Sequence, residues 1–215
     1  MSKLDDAIEI LILMSFREWR EVHRVPGMGK VDFLLFLNYF WRFPSIYIFR
    51  ERKGLGYPYN NFLYGETPYY TVREIIETAE INENDVVYDL GCGRGKFLFF
   101  TRLYTGARCI GVDLISTYIK IAQNITEKAE IRNLDFFEED ILNVGLSTAT
   151  VVFVNGTYFS PETHEGISLN IGKMKPGTRF ISSSVEYDNP GLEHFATRDL
   201  IFSWARTPVY FYRVK

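Results

Sequence analysis

Cysteine is nearly absent: Cys92 and Cys109 are the two in a chain of 215 residues. They are too few for a disulfide framework and too far apart for a CxxC redox or metal motif. Such usage suits a reducing cytosol, and no metal site is expected. No charge of one sign dominates. The net charge is −3 and the isoelectric point is about 5.7, a balance that does not attract polyanions and speaks against a dedicated nucleic-acid binder. No apolar run is clean enough for a simple membrane span, because the most apolar stretch, Val31–Phe49, is interrupted by Arg42 and Pro44. The N-terminus, Met1-Ser2-Lys3-Leu4-Asp5-Asp6, places acids early and shows no small-residue cleavage site after an apolar run. It reads as something other than a secretory leader. Internal repeats and low-complexity tracts are missing as well.

What is present is ordinary for a soluble globular chain, with 47% apolar and 24% charged residues. The length fits one domain plus an extension. Aromatic residues reach 16%, which points to a large aromatic core or an aromatic-lined site. Charge divides unevenly: residues 1–60 hold nine Lys or Arg against seven Asp or Glu, and residues 61–215 hold fifteen against twenty. We read 1–60 as a helical, aromatic-rich extension and 61–215 as the main domain. Residues 4–21 have helical apolar spacing, and Pro26-Gly27-Met28-Gly29 stops the helix. Residues 31–49 read either as packed helix or as a surface that docks a partner or a membrane, away from any ligand cleft.

From Thr71 the pattern alternates. Helical periodicity is expected over Val72–Ala79, Lys96–Tyr104, Ile115–Ala129 and Pro161–Gly172. Strands are expected over Asp85–Leu90, Arg108–Val112, Leu134–Glu138, Thr148–Val154 and Thr178–Ser184, with a closing pair at Leu200–Trp204 and Val209–Val214. Such alternation implies an α/β fold, a parallel sheet with helices on both faces. The final pair adds one antiparallel strand.

Chemistry gathers at the strand ends. Asp89-Leu-Gly91-Cys-Gly93-Arg-Gly95 follows a strand and opens a helix, where ligands bind in a doubly wound fold. The spacing is GxGxG rather than the GxGxxG of a dinucleotide loop. An acid at its head suits a cationic amino group better than a pyrophosphate. Asp113, with Leu114, ends the next strand, and a carboxylate there can accept both hydrogen bonds of a ribose diol. Asp140 follows the third strand, where an acid can accept from an adenine amino group while Ile141 packs on the ring face. Each acid alone could be a helix cap or a solvated loop residue. The three in succession describe an adenosine bearing an amino-acid tail, the arrangement of Rossmann-like methyltransferases that use S-adenosyl-L-methionine. After the fourth strand, Asn155 could hold an acceptor amine through its side-chain oxygen. Tyr158 and Phe159 could wall a channel. His164 reads as facing away from this loop, so no general base is visible.

The chain resembles the non-SET histone-lysine methyltransferase family known as disruptor of telomeric silencing. Tyr64-Gly65-Glu66-Thr67 is similar to that family's first cofactor loop, and Asp89–Gly95 to its glycine motif. Asn155 through Phe159-Ser-Pro-Glu162 resembles its substrate-channel loop. Met174–Ser183 resembles its fifth strand, and Ser203-Trp204 with Pro208–Tyr212 its closing strands. Lys96 stands where the family has Gln, and Asp113 where it has Glu. The resemblance implies a class I methyltransferase fold, a seven-stranded mainly parallel sheet with one antiparallel strand near the C-terminus. It implies S-adenosyl-L-methionine as cofactor and a protein lysine as acceptor. It also implies that Tyr64, Glu66 and Thr67 fold over the cofactor's amino-acid end. The short, acidic chain lacks a basic tail for nucleosomes, so a small prokaryotic-type protein-lysine methyltransferase is the reading. The alternatives are a small-molecule methyltransferase and an N-methyltransferase on a nucleobase or amide. The latter class carries Asn/Asp-Pro-Pro-Tyr/Phe where this chain has Asn155-Gly-Thr-Tyr158. Cytoplasmic location, with peripheral membrane contact through 31–49, is the corresponding expectation.

Overall fold

The computed structural model describes residues 3–40, 44–51 and 65–215. Three helices come first: α1 (Lys3–Arg24), α2 (Met28–Tyr39) and α3 (Pro44–Glu51). Then α4 (Tyr69–Ala79) leads into β1 (Val86–Leu90), α5 (Lys96–Thr105), β2 (Arg108–Asp113), α6 (Ser116–Lys128) and β3 (Leu134–Glu138). The second half runs β4 (Val151–Val154), α7 (Pro161–Ile171), β5 (Arg179–Ser183), β6 (Leu192–Ile201) and β7 (Arg206–Val214). The seven strands lie in the order β3-β2-β1-β4-β5-β7-β6. Only β7 runs against its neighbours, pairing antiparallel with both β5 and β6. This is the α/β sheet that the alternating pattern implies, in the Rossmann-like class I methyltransferase order that the resemblance implies.

Period-two alternation sorts the strand side chains between two cores. Val87, Cys109, Val151, Phe153, Ile181 and Phe211 join α2 to α6 on one face. Tyr88, Ile110, Val152, Val154, Phe180 and Tyr212 pack with Ile167 and Ile171 of α7 on the other. The N-terminal helices therefore share a core with the sheet: Met28, Val31 and Leu35 are fully or almost fully buried in it. At the strands' N-terminal edge, Asp85 accepts from Thr150 at 2.7 Å and pairs with Arg179. That buried knot ties β1, β4 and β5 together, leaving the opposite edge for function.

One expected strand is misplaced. Residues 202–204 form a turn, and the strand is β6, beginning at Leu192. Between Leu192 and Leu200 its side chains are largely exposed, because β6 is the sheet edge. An edge strand needs no apolar alternation, so its sequence, Glu-His-Phe-Ala-Thr-Arg-Asp, carries none.

Candidate active site

At the carboxyl edge β1 lies between β2 and β4, and the connections leave it in opposite directions. That is the topological switch point, where a crevice opens. A cleft with about 1100 Å³ of empty space, open solvent included, occupies it. Its wall includes Glu66, Thr67, Asp89, Gly91, Gly93, Asp113, Leu114, Asp140, Ile141, Asn155, Tyr158 and Phe159. The residues singled out from sequence thus meet in one place. Tyr64 lies outside the described residues.

The glycine loop is shaped by backbone needs. Gly91 has φ +85°, and a Cβ there would come within 3.0 Å of the Phe159 ring. Gly95 has φ +76° and would meet Phe136 at 2.6 Å. Backbone N–H groups of Gly91 and Cys92 both donate to the Val112 carbonyl, at 2.9 and 3.0 Å, locking the loop to the end of β2.

Asp113 sits across this loop. Its Oδ2 accepts from the Gly93 N–H and its Oδ1 from the Ile115 N–H, each at 2.8 Å. An ionised carboxylate has about four acceptor sites, so capacity remains for a diol. Burial pushes its pKa up to about 6, against the pull of those backbone donors. Asp89 is 3% exposed, and burial, then Asp113, raises its pKa well above the usual carboxylate range. A cationic group bound beside it would offset that burial and favour the ionised form. Asp140 turns one oxygen to the Leu142 N–H at 2.9 Å, which fixes the loop that carries Ile141.

The Glu66 loop is clasped to the turn after β6. Glu66 N–H donates to Ser203 Oγ at 2.8 Å, and Ser203 N–H donates to the Glu66 carbonyl at 3.0 Å. Trp204 lies so close to Gly65 that a Cβ there would be 2.4 Å from the indole. Glu66 pairs with Arg94 and reaches Lys96 at 3.9 Å. Lys96 is paired more closely with Glu18 of α1, at 3.3 Å, and lies 4.1 Å from the centre of the Tyr69 ring. Burial lowers the Lys96 pKa and raises that of Glu18, while their mutual attraction opposes both shifts.

This corrects the placing of residues 31–49 away from the ligand cleft. Ile48 lines the cleft. Tyr39 and Tyr47 pack against Tyr118, with ring centres 6.4 and 6.2 Å away. Glu51 bonds the Thr117 hydroxyl and its N–H, at the start of the helix that follows Asp113.

On the acceptor side two readings change. Asn155 Oδ1 accepts from the Ser183 hydroxyl at 2.6 Å and from Thr157 at 3.4 Å. The oxygen meant for an amine is therefore already engaged. His164 does not face away: its Nε2 is 3.0 Å from the Gly156 carbonyl oxygen. Trp204 and Lys96 were each named only as part of the resemblance or a departure from it, yet both line the cleft.

The family model for the histone methylation protein DOT1 matches residues 56–210. The chain belongs to the DOT1 family. A protein-lysine N-methyltransferase of Saccharolobus islandicus is 32% identical over 131 residues, covering 57% of this chain and 76% of that protein. A histone H3 lysine-79-specific methyltransferase of Dictyostelium discoideum is 30% identical over 135 residues, covering 56% of this chain but 7% of that protein. Among solved structures, an RNA methyltransferase of Salinibacter ruber with bound S-adenosyl-L-homocysteine superposes with a TM-score of 0.60 at 25% identity, covering 69% of this chain and 93% of that one. This DOT1-family chain is an S-adenosyl-L-methionine-dependent methyltransferase. The cleft fits that cofactor: Asp89 is a buried carboxylate on its wall, and Asp113 keeps acceptor capacity for a diol.

Proposed function

We propose that the chain methylates the side-chain amine of a lysine in a protein. The observation that carries this is the aromatic wall beside the glycine loop. Tyr158 and Trp204 rings lie 6.3 Å apart, and the Phe159 ring packs on Gly91. When bound, S-adenosyl-L-methionine would supply an electrophilic sulfonium methyl, whose carbon an amine lone pair can attack in line as the C–S bond breaks and the neutral thioether leaves. Lysine is charged in water, and only the neutral amine has that lone pair. Low-polarity ring surfaces disfavour the ammonium and lower its pKa. Among the described residues lining the cleft there is no histidine. In this reading the ammonium gives one proton to water before attack, and the methylated product leaves as an ammonium. Asp89 and Asp140 would hold the cofactor's two ends and Asp113 its ribose, so positioning supplies most of the rate.

Protein acceptors fit the activities for which the relatives are named, and the absence of both prolines after Asn155 sets the loop apart from nucleobase enzymes. The test is to incubate the chain and methyl-labelled cofactor with a cell lysate. Label in protein supports the proposal, whereas label confined to nucleic acid or small solutes selects an alternative. The rate should rise with pH until the bound lysine is neutral.

The proposal extends to location, a cytoplasmic enzyme resting on an anionic membrane surface. Phe33, Phe36 and Leu37 of α2, Phe40 at its C-cap, and Phe49 of α3 are more than half exposed. Lys30 and Arg50 beside them are exposed too. Among the described residues no helix is long and apolar enough to cross a membrane. Co-sedimentation with phosphatidylserine vesicles, lost in Phe36→Ser with Phe40→Ser, is the check.

A further inference from the structure

The loop that carries Tyr158 and Phe159 is a tight turn, closed by the Phe159 N–H donating to the Gly156 carbonyl at 2.9 Å. A second donor meets that oxygen, His164 Nε2 at 3.0 Å. A carbonyl oxygen only accepts, so Nε2 carries the proton. In the neutral ring Nδ1 must then accept, and Tyr187 Oη stands 2.6 Å from it as the donor. Burial keeps the His164 pKa below its ordinary value and so favours that neutral ring. Tyr187 is fixed in turn. It is buried, its N–H donates to Tyr212 Oη at 3.0 Å, and its ring stands edge-on to Phe180 at 5.0 Å. A Cβ on Gly156 would come within 2.8 Å of His164 Cε1 and 3.0 Å of the Phe159 ring. The histidine is thus seated directly against the turn.

We infer that His164 and Tyr187 are positioning residues, which hold the Gly156–Phe159 turn so that Tyr158 and Phe159 present a fixed acceptor channel. Neither residue is part of the cleft wall; both act through the Gly156 carbonyl. A strut running from β7 through Tyr212, Tyr187 and His164 thereby ties the acceptor loop to the antiparallel end of the sheet. The inference rests on the acceptor-channel reading, and deepens it by naming what sets the channel's shape.

The test uses the full chain. Nitrogen NMR of the histidine rings should show His164 as the Nε2–H tautomer, with that preference weakened in Tyr187→Phe. Amide exchange at Phe159 should quicken in His164→Leu and Tyr187→Phe. His164→Gln, which keeps an N–H donor near the Nε2 position, should restore it. Affinity for S-adenosyl-L-homocysteine should stay within about twofold, while methyl transfer to poly-L-lysine falls about tenfold to a hundredfold, as a misplaced channel predicts. An Nδ1–H tautomer, or exchange at Phe159 unmoved by these variants, overturns the inference. Should His164→Leu fail to fold, Tyr187→Phe decides, since it keeps the packed ring. If the wild-type chain leaves poly-L-lysine unmethylated, the lysine reading loses support, and the tautomer and exchange results still decide this one.

Discussion

Glu18 on the first helix and Lys96 at the start of the helix after the glycine loop stand 3.3 Å apart at the edge of the cofactor cleft. Glu18 also accepts the Tyr69 N–H with both oxygens at 3.0 Å. The first helix is therefore tied to the site through Lys96, which lines the cleft. Glu18→Gln should weaken S-adenosyl-L-homocysteine binding several-fold and lower stability by about 1.5 kcal/mol, the scale of one charged hydrogen bond. Calorimetry and thermal melts measure both. Unchanged cofactor affinity would confine α1 to packing.

Gly65 packs on Trp204 beside the Glu66–Ser203 clasp, which we propose covers the cofactor's amino-acid end. Gly65→Ala must displace the indole, an overpacking cost of about 1–3 kcal/mol. Cofactor affinity should fall with it, and hydrogen exchange across residues 65–70 should no longer slow on binding. Full protection in the variant would mean that the loop closes without Trp204.

Asp113 should make pH act in two opposite directions. Its folded pKa of about 6 exceeds the free carboxyl value of 3.8. Between the two, the folded protein keeps a proton that the unfolded chain has lost. Stability without cofactor should thus be greater toward the acid end of that window and fall as pH rises through about 6. Cofactor affinity should do the reverse, because the ionised carboxylate is the better acceptor for a diol. Glu18 and Asp89, also raised by burial, act on stability with the same sign. Asp113→Asn isolates the residue, and should flatten the affinity profile between pH 5 and pH 7. Asp113→Ala should cost about 1.5–3 kcal/mol of binding. A profile of affinity against pH that is identical in wild type and Asp113→Asn removes the residue from the ribose site.

Asp140 is expected to read the adenine amino group. Adenosine analogues without that group should bind the wild type poorly and Asp140→Ala almost as well as the parent compound. Retained discrimination in the variant would leave the residue as the cap of its own loop, a role the Leu142 N–H already assigns to one oxygen.

The glycine loop and the three acids were readable because each is a local signal: a strand end, a turn and a short spacing. The sheet faces were readable for the same reason, through the period of two. Contacts across the chain were not. Glu18 and Lys96 are 78 residues apart, and Glu66 and Ser203 are 137 apart; no periodicity announces either pair. Strand β6 escaped because an exposed edge selects few apolar side chains. His164 was misjudged because its place in a helix was legible while the side chain's partner, Tyr187 in a loop 23 residues on, was not.

The central claim is methyl transfer to lysine at the Asp89–Asp113 cleft. Its most direct measurement is peptide mass spectrometry of lysate proteins after incubation with isotopically labelled S-adenosyl-L-methionine, comparing wild type with Asp113→Ala. The account predicts labelled methyl groups on lysine side chains with the wild type and strong depletion with the variant. Label found on other residues, or equal lysine labelling by both proteins, would contradict it.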